Sequence, residues 1–169
     1  MNSDIERWSN LDNIRDTWNE RTELLHRFIP TDATTILEFG AGKRHLETLL
    51  LDSQTYIHSD IVKRNSDTIV QDLNNLPYDF LHEKYDVIFC SGVFEYIINL
   101  RGLINYIGKY TDCIVCSYAN TYKDREISKR NGWVNFYNQS QLQLILLREG
   151  FSLNRKTIWK GQTLYLFTK

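Results

Sequence analysis

The stretch that most limits the fold is TTILEFGAGKRHLETLL, Thr34 to Leu50. It reads as a β-strand, a tight turn around Gly40 and Gly42, and a helix. Glycines there let the backbone turn sharply and leave no Cβ in the way of a ligand. A strand that feeds a helix through such a turn commits the chain to βα units, and the downstream sequence repeats the alternation. YIHSD, DTIVQ, YDVIFC and CIVCSY read as strands. FEYIINLRGLINYIGKY and QSQLQLILLRE read as helices, the second stopped by Gly150 at the C′ position. FSLNRKTI and TLYLFTK close the chain as two strands joined by a WKGQ turn.

Alternating β and α predicts a mostly parallel sheet covered on both faces, a three-layer α/β/α sandwich. ILEF, YDVIFC and CIVC are apolar almost throughout, as doubly buried strands must be. A short turn joins only antiparallel neighbours, so the last of seven strands is expected to run against the rest. The 169 residues suit one domain with its own core. Ahead of it, Leu11, Ile14, Trp18, Leu25 and Phe28 recur at helical spacing. They predict a helical extension over residues 1–30, packed on the domain and ended by Pro30.

Composition excludes several classes. The formal net charge of −1 offers no broad basic surface for nucleic acid. Lys123, Arg125, Lys129 and Arg130 cluster in one loop, read as a solvated run. No apolar run is long enough to span a bilayer, and the N-terminus has no leader-like apolar segment, so a cytoplasmic protein is expected. Cys113 and Cys116 form a CxxC. On a strand, residues three apart face opposite sides, so both thiols cannot ligate one metal. Two packed core thiols are the expectation. The four histidines are scattered, with no metal spacing among them.

In an open α/β sheet, ligands gather at the carboxyl ends of the strands. EFGAG follows the first strand, Asp60 ends the second, Asp72 follows the third and CSG follows the fourth. Asp60 lies twenty residues after Gly40, where a carboxylate accepts hydrogen bonds from ribose hydroxyls. A dinucleotide fingerprint wants a third glycine at position 45, which is His45. A P-loop is excluded by the spacing of GAGKRH. A ligand with a ribose and no phosphate remains. Glu38 is harder to dismiss than the strand-end acids. A lone charge near the core is costly, and a ligand ammonium gives it a reason.

These residues resemble the class I S-adenosylmethionine-dependent methyltransferases, the small-molecule branch, whose fold is Rossmann-like. ILEFGAG is similar to the first motif of that family, YIHSDI to the second, QDLNNLP to the third and YDVIFCSGVFEYI to the fourth. GWVNFYNQSQLQLILLREGF resembles the late helix of the branch. The likeness runs from about Thr34 to Lys169. It implies S-adenosylmethionine as cofactor and assigns roles by position. Glu38 lies near the methionine amino group, and Gly40 and Gly42 shape the turn. Asp60, with Ile61 beside it, holds the ribose. Asp72 and Leu73 border the adenine. Cys90 and Ser91 wall the methionine end.

Two positions depart from the pattern. Arg44 stands where a third glycine is usual, and a helix start there is expected to point its side chain outward. Tyr96 follows Glu95 where a histidine is frequent. Glu95 is the first candidate base for a hydroxyl acceptor and Tyr96 the second.

The family's exocyclic-amine enzymes carry a D/N-P-P-Y/F string where this chain has CSGV, and Cys90 lacks the proline that precedes a nucleophilic cysteine. The expected acceptor is a small molecule or a sugar unit. Its pocket would be built from the Tyr118–Tyr137 loop, with Trp133, Asn135 and Tyr137 as binding residues and Tyr118, Asn120 and Tyr122 beside them. Trp133 and Phe136 could equally pin that loop to the core. The alternative reading is a methyltransferase-like binding or scaffold protein without catalysis. A nicotinamide oxidoreductase stands third, opposed by His45.

Overall fold

The computed structural model describes residues 4–119 and 125–169. Seven strands form one sheet in the order β3-β2-β1-β4-β5-β7-β6. They are β1 (Thr35–Phe39), β2 (Thr55–Asp60), β3 (Ile69–Val70), β4 (Val87–Cys90), β5 (Cys113–Ala119), β6 (Ser152–Trp159) and β7 (Gln162–Thr168). The first five run parallel, and β7 is antiparallel to both β5 and β6. This is the mostly parallel sheet with an antiparallel last strand that the alternation and the closing turn predict. Between β6 and β7, Lys160 and Gly161 both take positive φ, the two-residue turn that matches strand twist.

The two faces of the sheet bury separate cores. On one, Leu37, Ile88, Ile114 and Cys116 meet Leu100, Leu103, Ile104 and Ile107 of α3 (Leu100–Ile107) and Leu142 and Leu146 of the late helix (Gln139–Arg148). On the other, Ile36, Val87, Phe89, Cys113 and Val115 meet Leu25 of α2 (Asn19–His26) and Phe28 just beyond it. Cys113 and Cys116 thus lie on opposite faces, as the strand period requires, and all three cysteines are free and buried. Among the described residues, no helix is long and apolar enough to cross a membrane.

The first thirty residues are not one helix. They form α1 (Ile5–Ser9), 3-10 turns at Leu11–Asn13 and Asp16–Trp18, and then α2. The apolar spacing is real, but short polar side chains interrupt it. Asp4 caps the start of α1 by accepting the Arg7 N–H, but Asn10 ends that helix in an extended conformation and accepts the Asp12 N–H, opening a separate turn. The outcome is a bent strap ending in a short helix. Two other segments shorten in the same way. HLETLLL yields a 3-10 turn at Leu46–Leu49. FEYIINL begins as a 3-10 turn at Phe94–Tyr96, and α3 starts only after Asn99 caps it by accepting the Gly102 N–H.

Asp86 pins the entry of β4 to the entry of β1. Its carboxylate accepts the Thr34 N–H at 2.7 Å, the Thr34 hydroxyl at 2.8 Å and the Thr35 N–H at 2.9 Å. These bonds, the Thr34 N–H first among them, hold its carboxyl below the usual range. An acid with a depressed folded-state pKa contributes stability above its unfolded value and loses it as pH falls through the folded one. Asp86→Asn is therefore expected to cost about 1 kcal/mol at pH 7, because solvent screens an exposed carboxylate. The difference from the parent should shrink as pH falls below the ordinary aspartate range and through the lower folded-state pKa, read by urea unfolding at neutral and at acid pH.

Candidate active site

Parallel pairing sets the site. β1 lies between β2 and β4, with Glu38 opposite His58 on one side and Phe89 on the other. The carboxyl ends of four strands therefore open on one edge. A cavity of about 300 Å³ sits there. Glu38, Gly40, Gly42, Asp60, Ile61, Asp72, Leu73, Ser91 and Tyr96 all line it. Cys90 does not. It is fully buried on the α3 side of the sheet, where burial raises its thiol pKa well above the ordinary value.

The turn after β1 is held from β2. Gly40 and Gly42 take φ of 67° and 54°. The Gly42 N–H donates to Asp60 at 2.8 Å, and the Ala41 N–H donates to the Ser59 carbonyl at 3.1 Å. A Cβ on Gly40 would lie 2.7 Å from Val93. Arg44 also takes φ of 60°, so the third position of the turn is left-handed even without glycine. Ion pairs to Glu47 at 2.6 Å and Asp67 at 3.3 Å hold its side chain away from the cavity. The expected helix start at Arg44 is thus replaced by a left-handed corner, though the side chain does point outward.

Asp60 carries a second load. Its other oxygen accepts the Val62 N–H at 2.9 Å and lies 3.4 Å from the Arg64 guanidinium. A carboxylate offers about four acceptor positions, so capacity remains for ligand hydroxyls. Asp72 accepts the Asn74 N–H at 2.9 Å. The Asn74 side chain then ties this corner to the segment after β4, accepting the Ile98 N–H and donating to the Tyr96 carbonyl.

Glu38 is the buried acid of the wall. It accepts a hydrogen bond from the Tyr56 hydroxyl at 2.5 Å. Burial, opposed by that bond and reinforced by Asp60, pushes its carboxyl up to about 8. Near neutral pH it is mostly protonated and suited to become an anion when a cation arrives.

Arg21 was not legible as a site residue. It is 6% exposed and lines the same cavity. Nε donates to the Ser91 hydroxyl at 2.9 Å, one terminal nitrogen to the Ser91 carbonyl at 3.1 Å and the other to Gln162 at 3.1 Å. Trp18 and Trp159 flank the guanidinium at 5.5 and 5.9 Å. Among the described residues no carboxylate forms an ion pair with it, and burial lowers its pKa. A sequence signal existed. In the apolar stripe Trp18 and Leu25 are seven residues apart, and the face position between them is taken by Arg21 and Thr22.

The candidate base Glu95 sits behind the wall rather than in it. It is 2% exposed and accepts the Ala119 N–H at 2.7 Å, and burial raises its carboxyl pKa. It braces the turn after β4 against β5. Tyr96 does face the cavity, with its hydroxyl accepting the Trp133 indole N–H at 3.1 Å and Trp8 packed edge-on at 5.2 Å. Burial pushes its phenol up to about 12.

The three residues expected to bind the acceptor do not line the cavity. Trp133 stands behind Tyr96. Asn135 is buried and donates to the Phe94 and Ile97 carbonyls at 2.7 and 2.8 Å, while accepting the Tyr118 hydroxyl. The Tyr137 N–H donates to that same hydroxyl. The loop is clamped to the sheet, and its neighbours Gly132 and Val134 reach the cavity instead. Asn120, Tyr122 and Lys123 lie outside the described residues, as do the side chains of Arg125 and Lys129. The outer wall comes from the strap: Asp4, Trp8, Ile14, Arg15, Trp18 and Asn19. The Trp8 carbonyl accepts from Arg64 at 2.7 Å, and Asp16 pairs with Lys43 at 2.7 Å, fixing the strap over the turn. Among the described residues no cluster of His, Cys, Asp or Glu could hold a metal ion.

A family model described as a methyltransferase domain matches residues 13–155. No curated protein sequence matches the chain. Among solved structures, magnesium protoporphyrin IX methyltransferase from Synechocystis PCC 6803, with bound SAM, is 16% identical. The alignment covers 98% of this chain and 90% of that one, with a TM-score of 0.69. The N-terminal domain of EvdMO1 with SAH bound is 13% identical, with 90% and 80% covered and a TM-score of 0.61. The small RNA methyltransferase HEN1 is 18% identical over 89% of this chain and 25% of its own, with a TM-score of 0.66. These likenesses establish the fold.

Gly92 tests how tightly the Arg21 wall is built. It takes φ of 72°, and a Cβ there would lie 2.6 Å from the Arg21 guanidinium. Gly92→Ala should destabilise the protein by about 2 kcal/mol, combining left-handed strain with displacement of a three-bonded side chain. A denaturation midpoint equal to the parent's would show that the wall yields freely.

Proposed function

The chain belongs to the methyltransferase-domain family, and from that premise we propose that the cavity binds S-adenosylmethionine and passes its methyl group to an oxygen of a small-molecule acceptor. The observation that carries the reading is the convergence of Glu38, Asp60 and Asp72 on one cavity from three successive strand ends. Each residue there fits a part of the cofactor. Asp60 keeps free acceptor capacity for the ribose hydroxyls. Asp72, Leu73 and Ile61 border the adenine. Glu38 is a buried carboxyl with no cation partner among the described residues, and it faces the methionine ammonium.

A bound sulfonium supplies a methyl group already activated for in-line displacement. The task left to the protein is to hold the acceptor oxygen in line while the hydroxyl proton passes to solvent, because Glu95 is turned away from the cavity and Tyr96 is a donor. Trp8, Tyr96, Ile98 and Val134 provide an apolar and aromatic wall for that purpose. The Tyr96 hydroxyl accepts from an indole N–H, which is a donor only, so its own proton is available to an acceptor oxygen. With its phenol pushed up to about 12, Tyr96 orients as a donor at neutral pH and does not serve as the base. A saccharide or an aromatic ring suits such a wall. A net charge of −1 favours it over a nucleic acid.

Calorimetric titration with S-adenosylmethionine and S-adenosylhomocysteine, with NADH as control, tests the reading. Micromolar binding of the first two alone is expected; no binding would sink it. Asp60→Asn should weaken both about tenfold or more, the scale of a charge-assisted hydrogen bond.

Glu38 adds a pH dependence. Its free-state pKa is raised to about 8, and an ammonium alongside lowers it in the complex. Binding therefore releases a proton, and affinity rises with pH up to about 8. Titrations at pH 7 in phosphate and in Tris should differ by the heat of about one proton, and Glu38→Gln should remove the difference.

A further inference from the structure

α1 supplies a wall of the cavity but little of the fold. None of its five residues is buried, so it lacks the apolar anchorage of α2 and α3, and a segment of that kind opens at low cost. The aromatic wall nevertheless needs Trp8 edge-on to Tyr96 at 5.2 Å. Among the described residues, two hydrogen bonds tie α1 to the body of the domain. The Arg7 guanidinium donates to the Arg130 carbonyl at 3.2 Å, and the Arg64 guanidinium donates to the Trp8 carbonyl at 2.7 Å. The second bond comes from the ribose side of the cavity. Arg64 follows Asp60 by four residues, and the nitrogen that holds Trp8 also lies 3.4 Å from the Asp60 carboxylate. Its backbone is fixed, since the Arg64 and Asn65 N–H groups both donate to the Thr68 hydroxyl, at 3.2 and 3.1 Å. The Arg64 side chain is 9% exposed and lines the cavity, and its Nε–H is buried without a hydrogen-bond partner among the described residues.

A buried N–H without an acceptor is costly. A ribose hydroxyl held by Asp60 can supply that acceptor, because it donates its proton to the carboxylate and still offers lone pairs to a neighbouring N–H. Resting on the cofactor reading above, we propose that Arg64 links the two sides of the cavity: ribose hydroxyls on Asp60 fix the Arg64 guanidinium, and the fixed guanidinium holds Trp8 against Tyr96. The acceptor wall is then complete only when the cofactor is in place, and the acceptor enters second. Arg64 is a positioning residue, acting on the acceptor through Trp8. Its planar fork serves a carboxylate, a hydroxyl and a carbonyl at once, which the single nitrogen of a lysine does less well.

Amide hydrogen exchange over residues 5–13 reads the strap, with the buried helix α3 as internal reference. In the parent, saturating S-adenosylhomocysteine should slow exchange in the strap about fivefold or more relative to α3. Arg64→Met should still bind the ligand by calorimetry, and the slowing in its strap should fall close to none. A parent strap that exchanges equally with and without ligand overturns the proposal. So does an Arg64→Met protein that keeps the parent's ligand-induced slowing, because Arg64 then only braces the loop after β2. Complete loss of binding in Arg64→Met overturns it too, because Arg64 is then a cofactor contact and not a link. Should Arg64→Met not fold, the slowing is read in Arg64→Lys, where a fall to about half or less supports the assignment and no fall refutes it. Failure of the parent to bind S-adenosylhomocysteine would instead sink the cofactor reading itself.

Discussion

The whole site hangs on β1 lying parallel between β2 and β4. Parallel neighbours end at the same edge, so the residues that close each strand are brought together although they are far apart in sequence. Asp60 then converts this adjacency into a defined turn. Its carboxylate accepts the Gly42 N–H and fixes the loop after β1 to the end of β2. Without that bond the glycines would have conformational freedom and no reason to settle in one arrangement. Arg44 shows how strongly the surroundings impose the turn. A side chain takes a left-handed φ there and is held by two ion pairs on the outer side.

The second constraint is charge burial. Glu38, Arg21 and Glu95 are all buried, and none forms an ion pair among the described residues. Glu95 is explained by the fold, since it accepts a backbone N–H from β5 and holds the turn that carries Tyr96. Glu38 and Arg21 face open space. Lining the cavity distinguishes these two from Glu95, which holds a backbone N–H with one oxygen while its other oxygen finds no hydrogen-bond partner among the described residues. The burial of Glu95 also revises the expectation that it is the first candidate base. The carboxylate is real, but the 3-10 turn at Phe94–Tyr96 directs it back to the sheet and gives the cavity to the tyrosine.

Legibility varied with the range of the interactions involved. The βα alternation, the antiparallel final strand, the split of Cys113 and Cys116 between two faces, and the meeting of the strand-end acids at one edge could all be read from period and spacing; the order of the strands in the sheet could not. Trp133, Asn135 and Tyr137 could not be placed in this way. Their residue types suit a binding wall equally well as a clamp, and the choice is made by Tyr118 and by the carbonyls of Phe94 and Ile97, which are close only in three dimensions. The strap misled for a local reason. Its apolar spacing is helical, but Asn10 takes an extended conformation and opens a separate turn with its side chain, and the chain bends over the cavity.

By itself the sequence determined the βα alternation, the glycine turn and the acids at the strand ends. Those features follow from local sterics and from the period of side chains along a strand. The tertiary structure decided which buried charges are braced and which are exposed to a ligand, because that depends on what packs opposite each one. Arg21 belongs to a helix far from every recognisable motif. Only the packing of α2 against the ends of β4 and β7 brings its guanidinium to the cavity that Glu38 lines.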